Sequence, residues 1–367
     1  PSPEQEQAIE LCCDMDEPMV GVTGGAGTGK TFVLGRVYDE LLKEVGKDGI
    51  ALCAPTGRAA KRITELTGID AVTIHRLLQF PTPQDVLDDD EEPPPPNMPR
   101  RHAGNPLSQR VLLVDESSMV SNELFDFLLD ALRPGGIIRF FGDNNQLAPV
   151  EEKASEGLPA PFIAVLENEP SVTLTYNFRS QDEIVSNAMF ILKGRMPQQN
   201  DRFTIIYDNN PIETLIDFIT PEFTQMDHQI IMPMRKNKSG TQRVNPSAQM
   251  RFNPKGDILR LERYDDREAP LAVRANDKIL WTKNDYNLSL FNGEIGSIAE
   301  LDAEAGTLVF DTPNGVVDIP PLLKYFDRRD GRWKSYDPRR QIELGYAITT
   351  HKAQGSEFDT VVYCMCH

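Results

Sequence analysis

Gly24-Gly-Ala-Gly-Thr-Gly-Lys-Thr31 is the stretch that decides the fold. It satisfies the G-x-x-x-x-G-K-[ST] pattern at every position. Ahead of it, Met19 to Thr23 is short and mostly apolar, as a buried strand is. Behind it, Phe32 to Lys43 has helical spacing, with Val33, Leu34, Val37, Leu41 and Leu42 apolar. A strand, a glycine-rich turn and a helix N-terminus make an anion cradle, because backbone N–H groups and the helix dipole converge there. Gly25, Ala26, Gly27, Thr28 and Gly29 line it with backbone. Lys30 would reach the β- and γ-phosphates of a nucleotide, and the Thr31 hydroxyl would ligate Mg²⁺.

Composition sets the outer bounds. The chain has 367 residues, long enough for two or three domains with their own cores. No apolar run approaches the length of a membrane span. The sequence starts Pro-Ser-Pro, with no initiator Met and no signal peptide, which reads as a fragment, a processed chain or the ordered part of something longer. Its five cysteines (Cys12, Cys13, Cys53, Cys364, Cys366) are scattered and odd in number, which suits a reducing compartment. Cys364, Cys366 and His367 do not have zinc-knuckle spacing. The net charge of −18 argues against nucleic acid only on average, because phosphate contacts are local. Acid concentrates in 14–17, 85–92 and 265–268. Base clusters at Arg58/Lys61/Arg62, Arg100/Arg101, Arg235/Lys236/Lys238/Arg243 and Arg328/Arg329/Arg332/Lys334.

From Met19 to about Val150, strand-like runs alternate with helical patterns: Met19–Thr23, Ile50–Ala54, Val111–Val114 and Ile137–Phe141. That alternation predicts an α/β fold with a parallel sheet. Gln79 to Gln109, with its acidic run and Pro93 to Pro96, reads as a surface insertion. A second domain is expected from Thr175, with helices over 181–193 and 212–218 and a strand over 229–232. From Lys278 the pattern changes to short strands with glycine turns, which predicts a small β-barrel inserted at about 296–343. Ile342–Ile348 and Thr360–Cys364 read as strands returning to the α/β sheet.

Two further strands end in polar groups. Val111-Leu-Leu-Val-Asp-Glu116 is a buried strand carrying two acids at its carboxyl end, beside the phosphate loop in a parallel sheet. Asp115 would hold Mg²⁺ through water and Glu116 would polarise the attacking water. Phe140-Phe-Gly-Asp-Asn-Asn-Gln-Leu-Ala-Pro149 brings Asp143 and Gln146 toward the γ-phosphate. A Gln amide both donates and accepts, so Gln146 can register hydrolysis by exchanging partners.

These blocks, with Cys53-Ala-Pro-Thr-Gly-Arg-Ala-Ala-Lys-Arg62 and Thr73-Ile-His-Arg-Leu77 between them, resemble the superfamily 1 helicases. Leu174-Thr-Tyr-Asn-Phe-Arg-Ser180 is similar to the family's motif IV, and Tyr346 to Phe358 to its motif V. Met232-Pro-Met-Arg-Lys236 and Lys283 to Gly296 are similar to the RecD-like branch of superfamily 1B, and more loosely to phage helicases of the Dda type. The resemblance runs from about Pro3 to Val362. It implies two RecA-like P-loop NTPase domains, 1–174 and 175–367, with the inserted barrel SH3-like. It also implies an Mg²⁺-ATP-driven motor that moves 5′ to 3′ on single-stranded DNA and opens duplex at junctions.

Residue roles carry over by position. Gln5 would read adenine and Phe178 would stack on it; Arg179 would act as an arginine finger from the second domain, and Gly355 and Glu357 would lie near the nucleotide. Pro55, Thr56, Arg58, Lys61, Thr73, His75, Arg235, Asn284, Thr350, His351 and Gln354 match positions along the DNA path. The family's motif VI, with a second arginine finger, would follow His367, and its strand-separating hairpin would occupy the acidic, proline-rich 85–99 stretch, which makes a poor hairpin. Rival readings are a translocase that unwinds poorly, a motor subunit of a nuclease or repair complex, and an inactive DNA-binding module. The expected working form is a monomeric motor in the cytoplasm or nucleoid, meeting replication or repair proteins and no membrane.

Overall fold

The apolar run ahead of the phosphate loop is a strand of a parallel sheet, and the run behind it is a helix. The computed structural model describes the chain except residues 81–97, 150–158, 179–182, 237–239, 264–267, 284, 286, 289, 314, 328–331 and 366–367. Two compact units divide it, Pro1–Ile205 and Ile206–His367. The division falls beyond Thr175, so the segment similar to motif IV lies in the first unit.

The first unit runs α1 (Pro3–Cys13), β1 (Met19–Gly24), α2 (Lys30–Val45), β2 (Ile50–Ala54), α3 (Gly57–Thr67), β3 (Val72–Thr73), α4 (Ile74–Leu77), β4 (Val111–Val114), α5 (Asn122–Ala131), β5 (Ile137–Gly142), α6 (Pro161–Asn168), β6 (Ser171–Leu174) and α7 (Glu183–Leu192). Its six-stranded sheet has the order β3-β2-β4-β5-β1-β6, with parallel pairings throughout. Both faces are covered, as a parallel sheet requires. Along β4, Val111 and Leu113 enter the core under α2 and α3, while Leu112 and Val114 enter the core of α5 and α6. A strand's alternation thus sorts a continuous apolar run into two cores.

Part of the stretch read as a surface insertion is packed. Residues 81–97 lie outside the described residues, but Leu107 is buried and its N–H donates to Ala131 O at 2.9 Å. Arg101 N–H donates to Leu78 O at 3.1 Å, returning the chain to α4. In β5, the fully buried Arg139 has its guanidinium held by backbone carbonyls of Cys12 (2.7 Å), Asp14 (2.5 Å) and Glu17 (2.9 Å). That fixes the C-terminal end of α1 to the sheet. A buried charge is tolerated there because hydrogen bonds replace its hydration.

The second unit runs α8 (Pro211–Phe218), β7 (His228–Met232), α9 (Thr241–Phe252), β8 (Leu259–Leu261), β9 (Leu271–Val273), β10 (Lys278–Trp281), β11 (Ile295–Asp302), β12 (Thr307–Thr312), β13 (Gly315–Ile319), β14 (Leu323–Asp327), β15 (Arg332–Tyr336), β16 (Ile342–Leu344), β17 (Ala347–Thr349), α10 (Thr350–Ala353) and β18 (Thr360–Tyr363). A three-stranded parallel sheet, β17-β7-β18, sits beside a five-stranded antiparallel sheet ordered β13-β12-β11-β10-β16. The five-stranded sheet begins before residue 296, with β10. Among the described residues its edge strands β13 and β16 do not pair, and β14 and β15 form a separate hairpin. The coarse α/β class holds.

Ile342–Ile348, read as one strand, is two strands in different sheets. Gly345 is the reason. A Cβ there would lie 2.8 Å from the Ile279 carbonyl carbon, so the backbone passes directly over β10 and switches sheets. One core serves both sheets, and Asp277 anchors its polar frame. The fully buried Asp277 carboxylate accepts from Gln249 Nε2 (2.5 Å), Asn253 Nδ2 (2.8 Å), Arg274 N–H (2.7 Å) and Tyr346 O–H (3.0 Å).

Candidate functional site

The phosphate loop leaves β1 and turns into α2 through two residues with left-handed backbone, Gly27 (φ 81°) and Gly29 (φ 84°). Side chains other than glycine rarely adopt that conformation, so the motif's glycines are a backbone requirement. Each carbonyl from Gly24 to Thr28 has a donor. Lys30 Nζ donates to Gly24 O (2.7 Å) and Gly25 O (3.1 Å), and Thr28 Oγ1 also reaches Gly25 O (2.9 Å). Asn177 Nδ2 donates to Ala26 O (2.9 Å), Phe178 N–H to Gly27 O (3.0 Å) and Gln5 Nε2 to Thr28 O (3.1 Å). With its carbonyls so held, the loop keeps the shape in which its N–H groups can face an anion.

Gln5 is buried and has two tasks already. Its Oε1 accepts from Ser2 N–H at 3.0 Å, closing the capping box of α1, while Nε2 holds the loop. An amide oxygen has a second lone pair and an amide nitrogen a second hydrogen, so both atoms retain capacity for a base. Phe178 is exposed and borders Gly29, its ring 3.8 Å from where a Gly29 Cβ would sit. Arg179 lies outside the described residues.

The acids arrive at the end of β4, next to β5 and one strand further from β1. Asp115 is buried, and its Oδ1 accepts from Glu116 N–H at 2.8 Å. Burial raises its carboxyl above the usual range, against the opposing charges of Lys30 and Arg62. Glu116 is pushed up to about 7, first by burial and then by the Asp115 charge. Its Oε2 is buried with no hydrogen-bond partner among the described residues, and its backbone is left-handed at φ 50°. An orphaned carboxylate oxygen on a strained residue is costly, and such costs concentrate at functional sites. Two acids that attract Lys30 form a hard-oxygen set that suits Mg²⁺. Thr31 stands in the first turn of α2, directly after Lys30.

The turn after β5 is tied to β1. Thr23 Oγ1 donates to Asn144 Oδ1 at 3.2 Å, and Asn144 N–H returns to Thr23 Oγ1 at 3.3 Å. Gln146 N–H donates to Asp143 O at 3.1 Å. The turn bearing Gln146 is thereby attached to the strand that feeds the phosphate loop.

The residues expected along DNA divide into several kinds. Thr56, after Pro55, caps α3 by accepting from Ala59 N–H at 3.2 Å, and Thr73 caps α4 by accepting from Arg76 N–H at 3.2 Å. Lys61 pairs with Glu65 one turn on, at 3.7 Å, and Arg58 lies on the same helix. His75 has a buried Nδ1 without a partner among the described residues; burial lowers its pKa, and its ring meets Phe80 at 4.8 Å. Thr350 Oγ1 donates to Met232 O at 3.3 Å, and His351 is exposed on α10. Gln354 and Gly355 (φ 74°) end that helix, and exposed Glu357 follows. Arg235 is held by two carboxylates, Glu343 at 2.8 Å and Glu268 at 3.4 Å, in a network that includes Arg263 and Lys236. Its charge is answered inside the unit. Asn284 lies outside the described residues.

Sequence reasoning also passed over Arg62, whose charge acts on both acids. Its signal was present, since it lies four residues after Arg58 on α3. Glu4 and Asn177 carried no comparable signal.

Comparison with known proteins fits this geometry. A family model described as an AAA domain matches residues 5–152. The chain is 32% identical over 363 residues to the ATP-dependent RecD2 DNA helicase of Deinococcus radiodurans, covering 98% of this chain and 44% of that protein. It is 28% identical over 406 residues to the RecBCD enzyme subunit RecD of Mycolicibacterium smegmatis, covering 97% of this chain and 65% of that protein. The chain thus spans less than two thirds of the length of these relatives. The crystal structure of Bacteroides Pif1 bound to single-stranded DNA shares the fold, with a TM-score of 0.61 at 20% identity over 99% of this chain and 85% of that one. In its ordered motifs and over nearly its whole length the chain is similar to RecD-type helicases, and its fold is that of the Pif1 structure.

Proposed function

We propose that this chain is the motor of an ATP-dependent DNA helicase that moves 5′ to 3′ along a single strand and separates duplex at junctions. One observation carries the reading: a phosphate loop fully braced through its carbonyls, with Lys30 acting on a buried acid pair whose second member has an orphaned oxygen. That is the equipment for phosphoryl transfer to water. Thr31 and Asp115 would hold Mg²⁺, which supplies charge neutralisation on the phosphates when bound. Lys30 exchanges two loop carbonyls for phosphate oxygens. Glu116, nearly neutral-poised at about 7, takes a proton from the attacking water. Gln5 and Phe178 orient the base, Gln146 reads the phosphate state, and Arg179 adds positive charge to the transferring group.

The finer architecture belongs to the same proposal: RecA-like domains at 1–174 and 175–367, with an SH3-like element at about 296–343. The relatives named as RecD2 and RecD, and the single-strand-bound Pif1 fold, support DNA as the track. Thr56, Thr73, His75, Thr350, His351 and Gln354 would contact it, since helix caps and exposed helix starts are common grips on a phosphate backbone.

The test is ATP hydrolysis by this chain with and without single-stranded DNA, together with displacement of a strand from a 5′-tailed duplex. Strong stimulation with displacement supports the reading; hydrolysis indifferent to DNA overturns it. A second reading is a motor subunit that works inside a larger nuclease complex, favoured by the likeness to a RecBCD subunit. Stimulated hydrolysis without displacement would select it.

A further inference from the structure

Thr175 to Phe178 follows β6 with no regular secondary structure of its own, yet it is tied both to α1 and to the phosphate loop. The Glu4 carboxylate accepts from Thr175 N–H (2.7 Å), Tyr176 N–H (3.1 Å) and the Thr175 hydroxyl. Asn177 Nδ2 and Phe178 N–H hold the phosphate loop at Ala26 O and Gly27 O. Glu4 is itself fixed, because α1 is closed at its start by the Ser2–Gln5 capping box and held at its end by Arg139. The segment carries two large aromatic side chains in solvent, Tyr176 at 59% and Phe178 at 57% exposure. Their rings meet edge to face at 4.8 Å. An exposed aromatic pair, rigidly mounted beside a phosphate loop, is a stacking surface.

We propose that Glu4 and Asn177 are positioning residues, locking Thr175–Phe178 to α1 and to the phosphate loop so that the Tyr176–Phe178 pair is preset to receive the base of a bound nucleotide. The proposal rests on the reading of this loop as an ATP site. Its physical content is preorganisation: a side chain ordered before binding loses less freedom on binding. Three charge-assisted hydrogen bonds to one carboxylate are the strong members of the set. They also hold the Glu4 carboxyl below the usual carboxylate range, with the Thr175 hydroxyl bond as the largest cause. Tyr176 takes part as the buttress of the Phe178 ring, a role its place in the sequence does not announce.

The experiment compares affinity for ATP and for inorganic tripolyphosphate, by calorimetry on the full chain, for wild type, Glu4→Ala, Glu4→Gln and Asn177→Ala. Tripolyphosphate uses the loop and lacks the base. Glu4→Ala should weaken ATP about tenfold, the scale of one lost stacking contact, while tripolyphosphate stays within about twofold. Glu4→Gln should keep most of the ATP affinity, because its amide oxygen still accepts both backbone N–H groups and its NH₂ can donate to the Thr175 hydroxyl. Asn177→Ala, which leaves α1 untouched, should weaken ATP about fivefold. An unchanged ATP-to-tripolyphosphate ratio in folded Glu4→Ala and Asn177→Ala, as judged by melting temperature, overturns the clamp. A wild-type chain that binds tripolyphosphate as tightly as ATP overturns it as well. Wild-type protein that binds neither ligand overturns the clamp and the ATP reading together.

Discussion

The phosphate loop and the motif V segment place opposite demands on the chain. In the loop, the groups expected to face a phosphate are backbone N–H, and the carbonyls from Gly24 to Thr28 are all occupied by donors of the first unit. At motif V the candidate groups are side chains on a four-residue helix, α10, capped by Thr349 and tied to β7 through Thr350. The first kind of site is written by glycines and a short local pattern. The second depends on which neighbours the fold delivers. Lys352 shows this, since it bonds Asn292 from far along the chain and burial lowers its pKa. Arg235 shows it too, with Glu268 and Glu343 as partners.

The sharpest way to break the comparison is Lys30→Ala. Hydrolysis should fall about a thousandfold, as when a principal charge-stabilising group is removed, while single-strand binding survives. Retained turnover in a steady-state assay would show that the loop is not the reactive site. Next in size is Asp277→Ala in the second unit. It strands the side-chain donors of Gln249, Asn253 and Tyr346 and the Arg274 N–H, and should cost about 3 kcal/mol in denaturant unfolding. ATP binding under native conditions should be retained, because no loop contact involves that frame.

Glu116 links activity to pH. Its folded pKa of about 7 stands above the ordinary value of 4.5, so the folded state binds more protons than the unfolded chain between those values. Stability from this group is therefore present below about 4.5 and is lost as pH rises through about 7. Glu116→Gln should abolish hydrolysis yet gain about 2 kcal/mol at pH 8, with no gain at pH 4. Thermal unfolding across that range checks it, and equal stability of the two proteins at pH 8 would show that the carboxylate is solvated. The smallest effect is Thr56→Ala, where loss of the α3 cap should cost about 1 kcal/mol. A larger fall in single-strand affinity than in stability would mark Thr56 as a DNA contact as well as a cap.

Much of the first unit was legible. Strands over 50–54 and 111–114 were read at their observed bounds, and β1, β5 and α2 within three residues, because long apolar runs in a parallel sheet are buried on both faces. The antiparallel strands of the second unit were also visible as short alternating runs. Their assembly was not. Ile342–Ile348 reads as one apolar run, and only the contact of Gly345 with β10 divides it between two sheets. Among the described residues no helix is long and apolar enough to cross a membrane.

For this protein, the sequence alone determined the phosphate loop, the strand that ends in Asp115 and Glu116, and the order of motifs by which the chain resembles the superfamily 1 helicases. Those features are local, since each needs only a few consecutive residues and one backbone conformation. The tertiary structure decided which carbonyl each donor holds, that Glu116 is pushed to about 7, that Glu4 and Asn177 secure Thr175–Phe178, and that Arg235 is paired. Those features depend on burial and on contacts between residues distant in the chain, which no short stretch of sequence contains.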